Sequence, residues 1–144
     1  MGCKSLGPSK GLYVLVISLE EPIDFGAKRV KPGIYLYLGS AGGPGGLRGR
    51  VCRHARHSGG ARKWHVDRLL GASRVRGAYV LEGVHGVREE RLWAEALSLL
   101  LEEGAEDFGN TDTGGPSHLF RADGADVSAL LGPRWRYVDL TRLR

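Results

Sequence analysis

The sequence predicts one compact domain that mixes β-strands and α-helices, and three observations lead to this prediction. The chain has 144 residues, a length that fits a single hydrophobic core. Three runs have the β-branched and aromatic content of strands: Gly11 to Ile17, Ile34 to Leu38 and Val75 to Leu81. Segments with helical spacing lie between and after these runs. The fold class is therefore α/β or α+β.

The first third of the chain is expected to hold two of these strands and two irregular segments. Residues 1–10 have no periodicity and are predicted to be a flexible lead-in. Gly11 to Ile17 is apolar enough to be buried on both faces, which favours a central strand. Residues 19–32 contain prolines, a glycine and charges, and this composition predicts a hairpin insertion before the second strand.

Five further segments have helical or strand character. Helical spacing predicts a basic helix from Leu47 to His57 and a second helix from Lys63 to Leu70. Arg88 to Glu103 is a run of good helix formers followed by a glycine, and it predicts the longest helix. A last short helix at Asp126 to Leu131 and a last short strand at Arg136 to Leu140 would form a small extension from about residue 121.

The charge of the chain is unevenly distributed. The formal net charge is +5 and the pI is about 9.5. Between Arg48 and Arg76 basic residues greatly outnumber the one acid, Asp67, whereas acids dominate from Glu82 to Asp107. A cationic face and a polyanionic partner are expected. The alternative is a solvated surface of a heat-adapted protein, since the chain has no Gln and only one Asn and one Met.

The two cysteines and the apolar runs indicate a soluble cytoplasmic protein. Cys3 and Cys52 have the spacing neither of a disulfide framework nor of a metal site, so a reducing cytoplasm is expected. No signal peptide precedes the first strand, and no apolar run approaches the roughly 20 residues that span a bilayer.

The basic helix carries the first candidate functional group. Arg50, Arg53, His54 and His57 would share one stripe of this helix. An arginine offers a planar fork of donors that suits phosphate, but the same stripe is also compatible with a solvated helix face. The preceding GGPGG loop resembles a phosphate-binding loop, yet it lacks the Gly-Lys-Ser/Thr end of a Walker motif, so a flexible connection is favoured.

Glu90 is the second candidate. A helical projection places it in the middle of the apolar stripe that contains Ala94, Leu97 and Leu101. A carboxylate that faces the core must be paired or must bind a metal. An acid near a helix N-terminus also complements the helix dipole, so both interpretations stay open at this point. His118 follows Ser117 ahead of a strand and is also compatible with a simple turn residue.

Two short motifs resemble a known nuclease family. Gly11-Leu12-Tyr13 lies on one predicted strand and Tyr37-Leu38-Gly39 lies at the end of the next, before a helix that contains Arg50 and His54. This arrangement resembles the GIY-YIG nuclease family. The literal Gly33-Ile34-Tyr35 is not the first motif, because it shares a strand with Tyr37, whereas the family's two motifs occupy neighbouring strands.

A compact, stand-alone branch of that family is more similar still. Its members contain YVYVGSA, GGLRARLARH, HWHIDYLL and FGxSDCxCxSHLF, and this chain contains YLYLGSA, GGLRGRVCRH, KWHVDRLL and FGNTDTGGPSHLF in the same order. Two differences stand out. The interval between Tyr13 and Tyr37 is longer than in the small homing nucleases, and Thr113 and Gly115 replace the two cysteines of the branch.

The resemblance implies a fold and a reaction. The fold would be a small, mainly antiparallel, three-stranded central sheet flanked by helices, formed by residues 11–144. The reaction would be hydrolysis of a DNA phosphodiester with one divalent ion, Mg²⁺ or Mn²⁺. Repair or recombination would be the setting, and a partner protein would direct the enzyme to its target. A non-catalytic nucleic-acid-binding module and a heat-stable protein-interaction domain are the alternatives.

The resemblance also implies residue roles. Tyr13 would be the general base or would position the attacking water, with Tyr37 beside it, and His54 would share the proton transfer. Arg50 would stabilise the charge that develops on the phosphate. Glu90 would bind the metal, with Glu89 and Glu95 as alternatives. Basic residues that would contact nucleic acid are Arg48, Arg53, Arg56, His57, Arg62, Lys63 and Arg68. Other motif residues are Gly11, Gly39, Ser40, Trp64, His65, Asp67, Asp112, Ser117 and His118.

Overall fold

A computed structural model describes residues 2–25, 28–56, 69–104 and 117–141. The fold is α+β. A 3-10 helix at Gly2–Ser5 precedes strand β1 (Gly11–Leu19). The other strands are β2 (Ile23–Phe25), β3 (Lys28–Val30), β4 (Gly33–Ala41), β5 (Arg74–Glu82), β6 (Glu102–Glu103), β7 (Leu119–Arg121) and β8 (Arg136–Asp139). The helices are α1 (Gly46–Ala55), α2 (Val87–Ser98) and α3 (Val127–Leu131).

The main sheet has six strands, so the prediction of three is wrong. Its order is β6-β7-β4-β1-β5-β8, and each neighbouring pair is antiparallel. The three predicted strands form its centre as β4, β1 and β5. The added strands β6, β7 and β8 have only two to four residues each. Segments this short carry too little pattern to reveal strand pairing.

Strand β1 is the structural centre of the domain. It pairs with β4 on one side and β5 on the other over almost its whole length. Leu12, Val14, Leu15 and Ile17 are fully buried, as expected for a strand covered on both faces. The register pairs Tyr13 with Gly39, which brings the first motif directly against the second.

The two faces of the sheet support two hydrophobic clusters. On one face, Tyr13 and Tyr37 pack in a cluster that includes Leu47 and Val51 of α1. On the other face, Ala94 and Leu97 of α2 pack in a cluster that also holds residues of β1, β4 and β7. Helices α1 and α2 therefore pack on opposite faces of the sheet.

Helix α2 ends five residues earlier than its sequence predicts. It stops at Ser98, and the amides of Leu99 and Leu100 bond to carbonyls three residues back, as in a tightened last turn. Glu102 and Glu103 then pair with β7 as strand β6. Tertiary strand pairing overrides the helix propensity of this segment.

The insertion before the second strand contains a two-stranded hairpin. Strands β2 and β3 pair only with each other in a separate small sheet. An ion pair between Arg29 and Asp24 at 3.7 Å joins them on the surface. The hairpin therefore adds to the domain without contributing a strand to the main sheet.

The lead-in, expected to be flexible, packs against α1. Cys3 and Cys52 form a disulfide with Cα atoms 5.8 Å apart, so the expectation that these cysteines do not pair is wrong. They are 49 positions apart, and no local pattern could indicate this pairing. Leu6 is buried beside them, and the Arg48 Nε atom donates to the Leu6 carbonyl at 2.7 Å.

None of the helices in the described ranges is long and apolar enough to cross a membrane. The helix predicted from Lys63 lies largely outside the described residues, although its last positions, Leu69 and Leu70, are helical and buried.

Candidate functional site

The site is built where the start of β1 meets the end of β4. Gly39 has no room for a side chain, because a Cβ atom there would overlap the ring and hydroxyl of Tyr13. Gly11 is equally confined, since its Cβ would lie 2.6 Å from the carbonyl oxygen of Leu81. Gly39 therefore allows the Tyr13 ring to lie across β4, whereas Gly11 allows β5 and Leu47 to approach β1 closely. Tyr37 belongs to the same buried cluster as Tyr13.

Tyr13 and two residues of α1 form the centre of the site. The Tyr13 hydroxyl lies 3.1 Å from His54 Nε2, and the two rings are tilted with centroids 5.7 Å apart. Burial raises the pKa of Tyr13 to about 12. The charge and hydrogen bonding of Arg50 lower this pKa, and the charge of Glu90 raises it. Tyr13 is therefore a phenol at neutral pH and can donate to His54.

A cavity of about 300 Å³ opens next to this centre. Two of its lining residues, Arg50 and Arg53, are cationic, and the others are Ala41 and small residues of the glycine-rich loop and the first turn of α1. Among the residues that the structure describes, no acid lines the cavity. Its size and charge suit a phosphate group or another anion.

The amides at the start of α1 do not face this cavity as free donors. Leu47 N donates to the carbonyl of Ser9 at 2.9 Å, and Arg48 N donates to that of Gly7 at 3.0 Å. Gly46 makes the approach possible, since its φ is +56° and a Cβ there would overlap the backbone of Pro8. Anion binding in the cavity must therefore come mainly from side chains.

Glu90 projects from α2 toward His118. Its side chain is only 15% exposed, and Oε2 lies 3.0 Å from His118 Nδ1. This is an ion-pair distance, although the ring N–H does not point straight at the oxygen. His118 itself is completely buried. The charge of Glu90 raises the pKa of Tyr13, so the two side chains interact electrostatically.

A hydrogen bond to Ser40 anchors the beginning of α2 to the end of β4. The backbone N–H of Gly86, the N-cap residue of α2, donates to Ser40 Oγ at 2.9 Å. The amide of Glu90 in turn donates to the Gly86 carbonyl at 3.0 Å. The serine of the second motif therefore fixes the helix turn that carries Glu90.

The two alternative metal ligands occupy less suitable positions. Glu95 is exposed and pairs with Arg91 at 3.3 Å on the outer side of α2. Glu89 is half-buried in the first turn of α2. Glu90 is the acid of this helix that interacts electrostatically with Tyr13.

The other predicted residues are distributed as follows. Arg53 and Arg56 are exposed on α1, whereas Arg48 is engaged with the lead-in. Ser117 is buried beside His118. Residues that lie outside the described ranges are His57, Arg62, Lys63, Trp64, His65, Asp67, Arg68 and Asp112.

The donor set fits one kind of metal ion. In the ranges that the structure describes, no group of three or more His, Cys, Asp or Glu side chains is arranged to hold a metal. Glu90 offers a single carboxylate. Mg²⁺ usually keeps several waters and binds through one or two carboxylates plus substrate phosphates. These residues therefore fit a hydrated Mg²⁺ or Mn²⁺ and not a site enclosed by protein ligands.

Three features of the site were not predicted from the sequence. They are the pairing of His118 with Glu90, the anchoring of α2 by Ser40, and the disulfide at Cys52 on the helix that carries Arg50. Each joins residues distant in the chain. The available signals were the YLYLGSA and SHLF motifs, which gave no role to Ser40 or to His118.

Comparison with known proteins gives one match. A protein family described as "Domain of unknown function DUF123" matches residues 12–131, which include Tyr13, Arg50, His54, Glu90 and His118. No curated protein and no solved structure matches the chain.

Proposed function

The chain belongs to the DUF123 family of domains of unknown function, and we propose that it is a metal-dependent endonuclease that hydrolyses DNA phosphodiester bonds. The observation that carries this proposal is that Tyr13 of β1 contacts His54 and Arg50 of α1, while the charge of Glu90 on α2 acts on the same Tyr13. These are a proton donor and acceptor, a cation and a carboxylate. The GIY-YIG resemblance assigns nuclease roles to the same four residues.

The proposed activation of water is a proton relay. Tyr13 is a poor base on its own, because burial holds its pKa near 12. In the relay, the attacking water gives a proton to the Tyr13 oxygen while the Tyr13 proton passes to His54 Nε2 across the 3.1 Å contact. The water oxygen bonds to phosphorus and the bond from phosphorus to the leaving oxygen breaks. Tyr13 remains neutral, and His54 ends as an imidazolium.

Arg50 and Glu90 have separate tasks in this scheme. Arg50 lies beside Tyr13 and lines the cavity, so its guanidinium can stabilise the negative charge that develops on the phosphate. Glu90 would hold the divalent ion. When bound, such an ion neutralises charge on the phosphate and on the leaving oxygen. Tyr37, in the same cluster as Tyr13, would help to confine the water.

Nucleic acid is the proposed substrate because the site is cationic at its entrance. Arg50 and Arg53 line the cavity, and exposed Arg56 continues along α1. The basic sequence that follows to Arg76 would extend this contact along a DNA backbone. A GIY-YIG-like fold, a cytoplasmic location and a role in repair or recombination complete the proposal.

The test is nicking of supercoiled and branched DNA in Mg²⁺ or Mn²⁺. Wild type should cleave, and Glu90→Ala should be no more active than wild type in EDTA, because the ion would lose its protein ligand. Glu95→Ala removes the same charge from the outer side of α2 and should cleave like wild type. Equal trace activity in wild type and Glu90→Ala would mean that the catalytic proposal is wrong.

A non-catalytic nucleic-acid-binding module is the second candidate. It is favoured by the single carboxylate at the site, together with two cations in the cavity. This candidate predicts DNA binding that needs no metal, falls steeply with added salt and produces no cleavage. Binding and cleavage should therefore be measured on the same preparation across a salt series.

A further inference from the structure

His118 is a buried group to which the reaction scheme gives no task. It has no exposed surface, and its Nδ1 atom lies 3.0 Å from Glu90 Oε2. Burial of an imidazole beside a carboxylate requires desolvation of both groups. Apolar side chains could join β7 to α2 without that cost, so the polar pair calls for a purpose beyond packing.

Three hydrogen bonds hold the backbone around His118 in place. Leu38 N of β4 donates to the His118 carbonyl at 3.0 Å. Ser117 N donates to the Glu103 carboxylate at 3.1 Å, and Leu119 N donates to Ser117 Oγ at 3.3 Å. The imidazole therefore projects from a segment that is tied to β4 and to β6. Because this segment is fixed and the imidazole is buried, His118 can restrict the orientation of the Glu90 side chain that contacts it.

We propose that His118 is a positioning residue that orients the Glu90 carboxylate through the 3.0 Å contact between a protonated Nδ1 and Oε2. Its relevance to catalysis rests on the proposed function. Ser40 already fixes the backbone of the α2 turn through Gly86, and His118 fixes the side chain. One carboxylate oxygen is then held against His118, and the carboxylate has one orientation in which to bind an ion.

Direct metal ligation by His118 is less consistent with the structure. A hydrated ion needs space for several waters, and the imidazole has no accessible surface around it. A residue that only orients the Glu90 carboxylate needs no such space, and the contact between His118 Nδ1 and Glu90 Oε2 is sufficient. Groups that orient a metal ligand in this way commonly change metal affinity by about 10- to 100-fold when removed.

The first test needs no metal. Nitrogen-15 NMR of the full chain reports which imidazole nitrogen of each of the five histidines carries a proton, and His118→Asn identifies the His118 signals. Nδ1 should carry a proton in wild type, and its signal should shift in Glu90→Gln. A bare Nδ1 with the proton only on Nε2 would overturn the proposal, because it could not donate to the carboxylate.

The second test is Mn²⁺ binding, followed by the paramagnetic resonance of free Mn²⁺. His118→Leu removes the donor and should weaken Mn²⁺ binding about tenfold or more. His118→Asn keeps an N–H near the position of Nδ1 and should stay within about threefold of wild type. Leu97→Val, a matched control, disturbs buried packing of α2 without touching the pair, and its Mn²⁺ affinity should be unchanged.

The outcomes separate this inference from the proposed function. Wild-type Mn²⁺ affinity in His118→Leu would overturn the positioning role, and so would an equal loss in His118→Asn and His118→Leu, which indicates direct ligation. Equal weakening of Mn²⁺ binding in Leu97→Val would mean that the effect comes from general packing of α2, and it would also overturn the positioning role. If wild type neither binds Mn²⁺ nor cleaves DNA, the proposed function fails, and the NMR result alone then decides whether His118 orients Glu90.

Discussion

Reduction of the Cys3–Cys52 disulfide is expected to lower the stability of the whole domain. The bond joins the 3-10 helix to α1 across 49 positions of the chain. A cross-link that closes a loop of this size removes chain entropy from the unfolded state worth about 4 kcal/mol. At about 3 °C per kcal/mol for a domain of this length, the midpoint of thermal unfolding should fall by about 12 °C.

The assay is guanidinium unfolding of the oxidised and reduced wild type and of Cys3→Ser. Reduced wild type and Cys3→Ser should both lose about 4 kcal/mol of unfolding free energy relative to oxidised wild type. Reducing agent should have no further effect on Cys3→Ser, which controls for effects of the reagent itself. Mass spectrometry before and after alkylation gives the fraction of bonded cysteines in each sample.

Two results would refute this reasoning. One is a difference below about 1 kcal/mol between oxidised and reduced wild type, which would mean that the lead-in contributes little to the unfolding transition. The other is two free thiols in protein purified without reducing agent. The contacts of Leu6, Ser9 and Gly7 with α1 would then hold the lead-in by themselves.

Two further predictions concern Tyr13. Gly39→Ala should cost about 1–3 kcal/mol of stability, because the new methyl group would overlap the Tyr13 ring. Thermal unfolding beside Gly43→Ala, whose Cβ would meet nothing within 4 Å, measures this, and equal losses would contradict it. Wild type should also lose stability as the pH rises from 10 to about 12, at about 1.4 kcal/mol per pH unit. Burial raises the pKa of Tyr13, so in this range the folded state holds more protons than the unfolded state. Tyr13→Phe should lack this part of the slope in denaturant titrations, and parallel curves would argue against a raised pKa.

The centre of the sheet was predictable because its strands carry strong local signals. Leu12 to Ile17 is apolar at almost every position, and Val75 to Leu81 combines β-branched and aromatic residues. Their burial on the sheet follows from that composition. Strand β6 could not be predicted in the same way, because Glu102 and Glu103 favour a helix until β7 offers them partners.

The site shows the same division between local and distant information. Periodicity alone places Glu90 on the apolar side of its helix, and in the structure it lies on the side of buried Ala94 and Leu97. The partner of Glu90 was not predictable, because His118 comes from a segment 28 positions later whose place is set by strand pairing. The raised pKa of Tyr13 also depends on tertiary burial, which residue type does not give.

The short outer strands of the sheet affect how the protein tolerates heat. In the described part of the chain, one edge is the exposed pair Glu102 and Glu103, and the other is β8, whose ends are exposed Arg136 and Asp139. Brief, charged edges are poor templates for strand addition by another molecule. Copies that open partially at high temperature are therefore less prone to join edge to edge into aggregates.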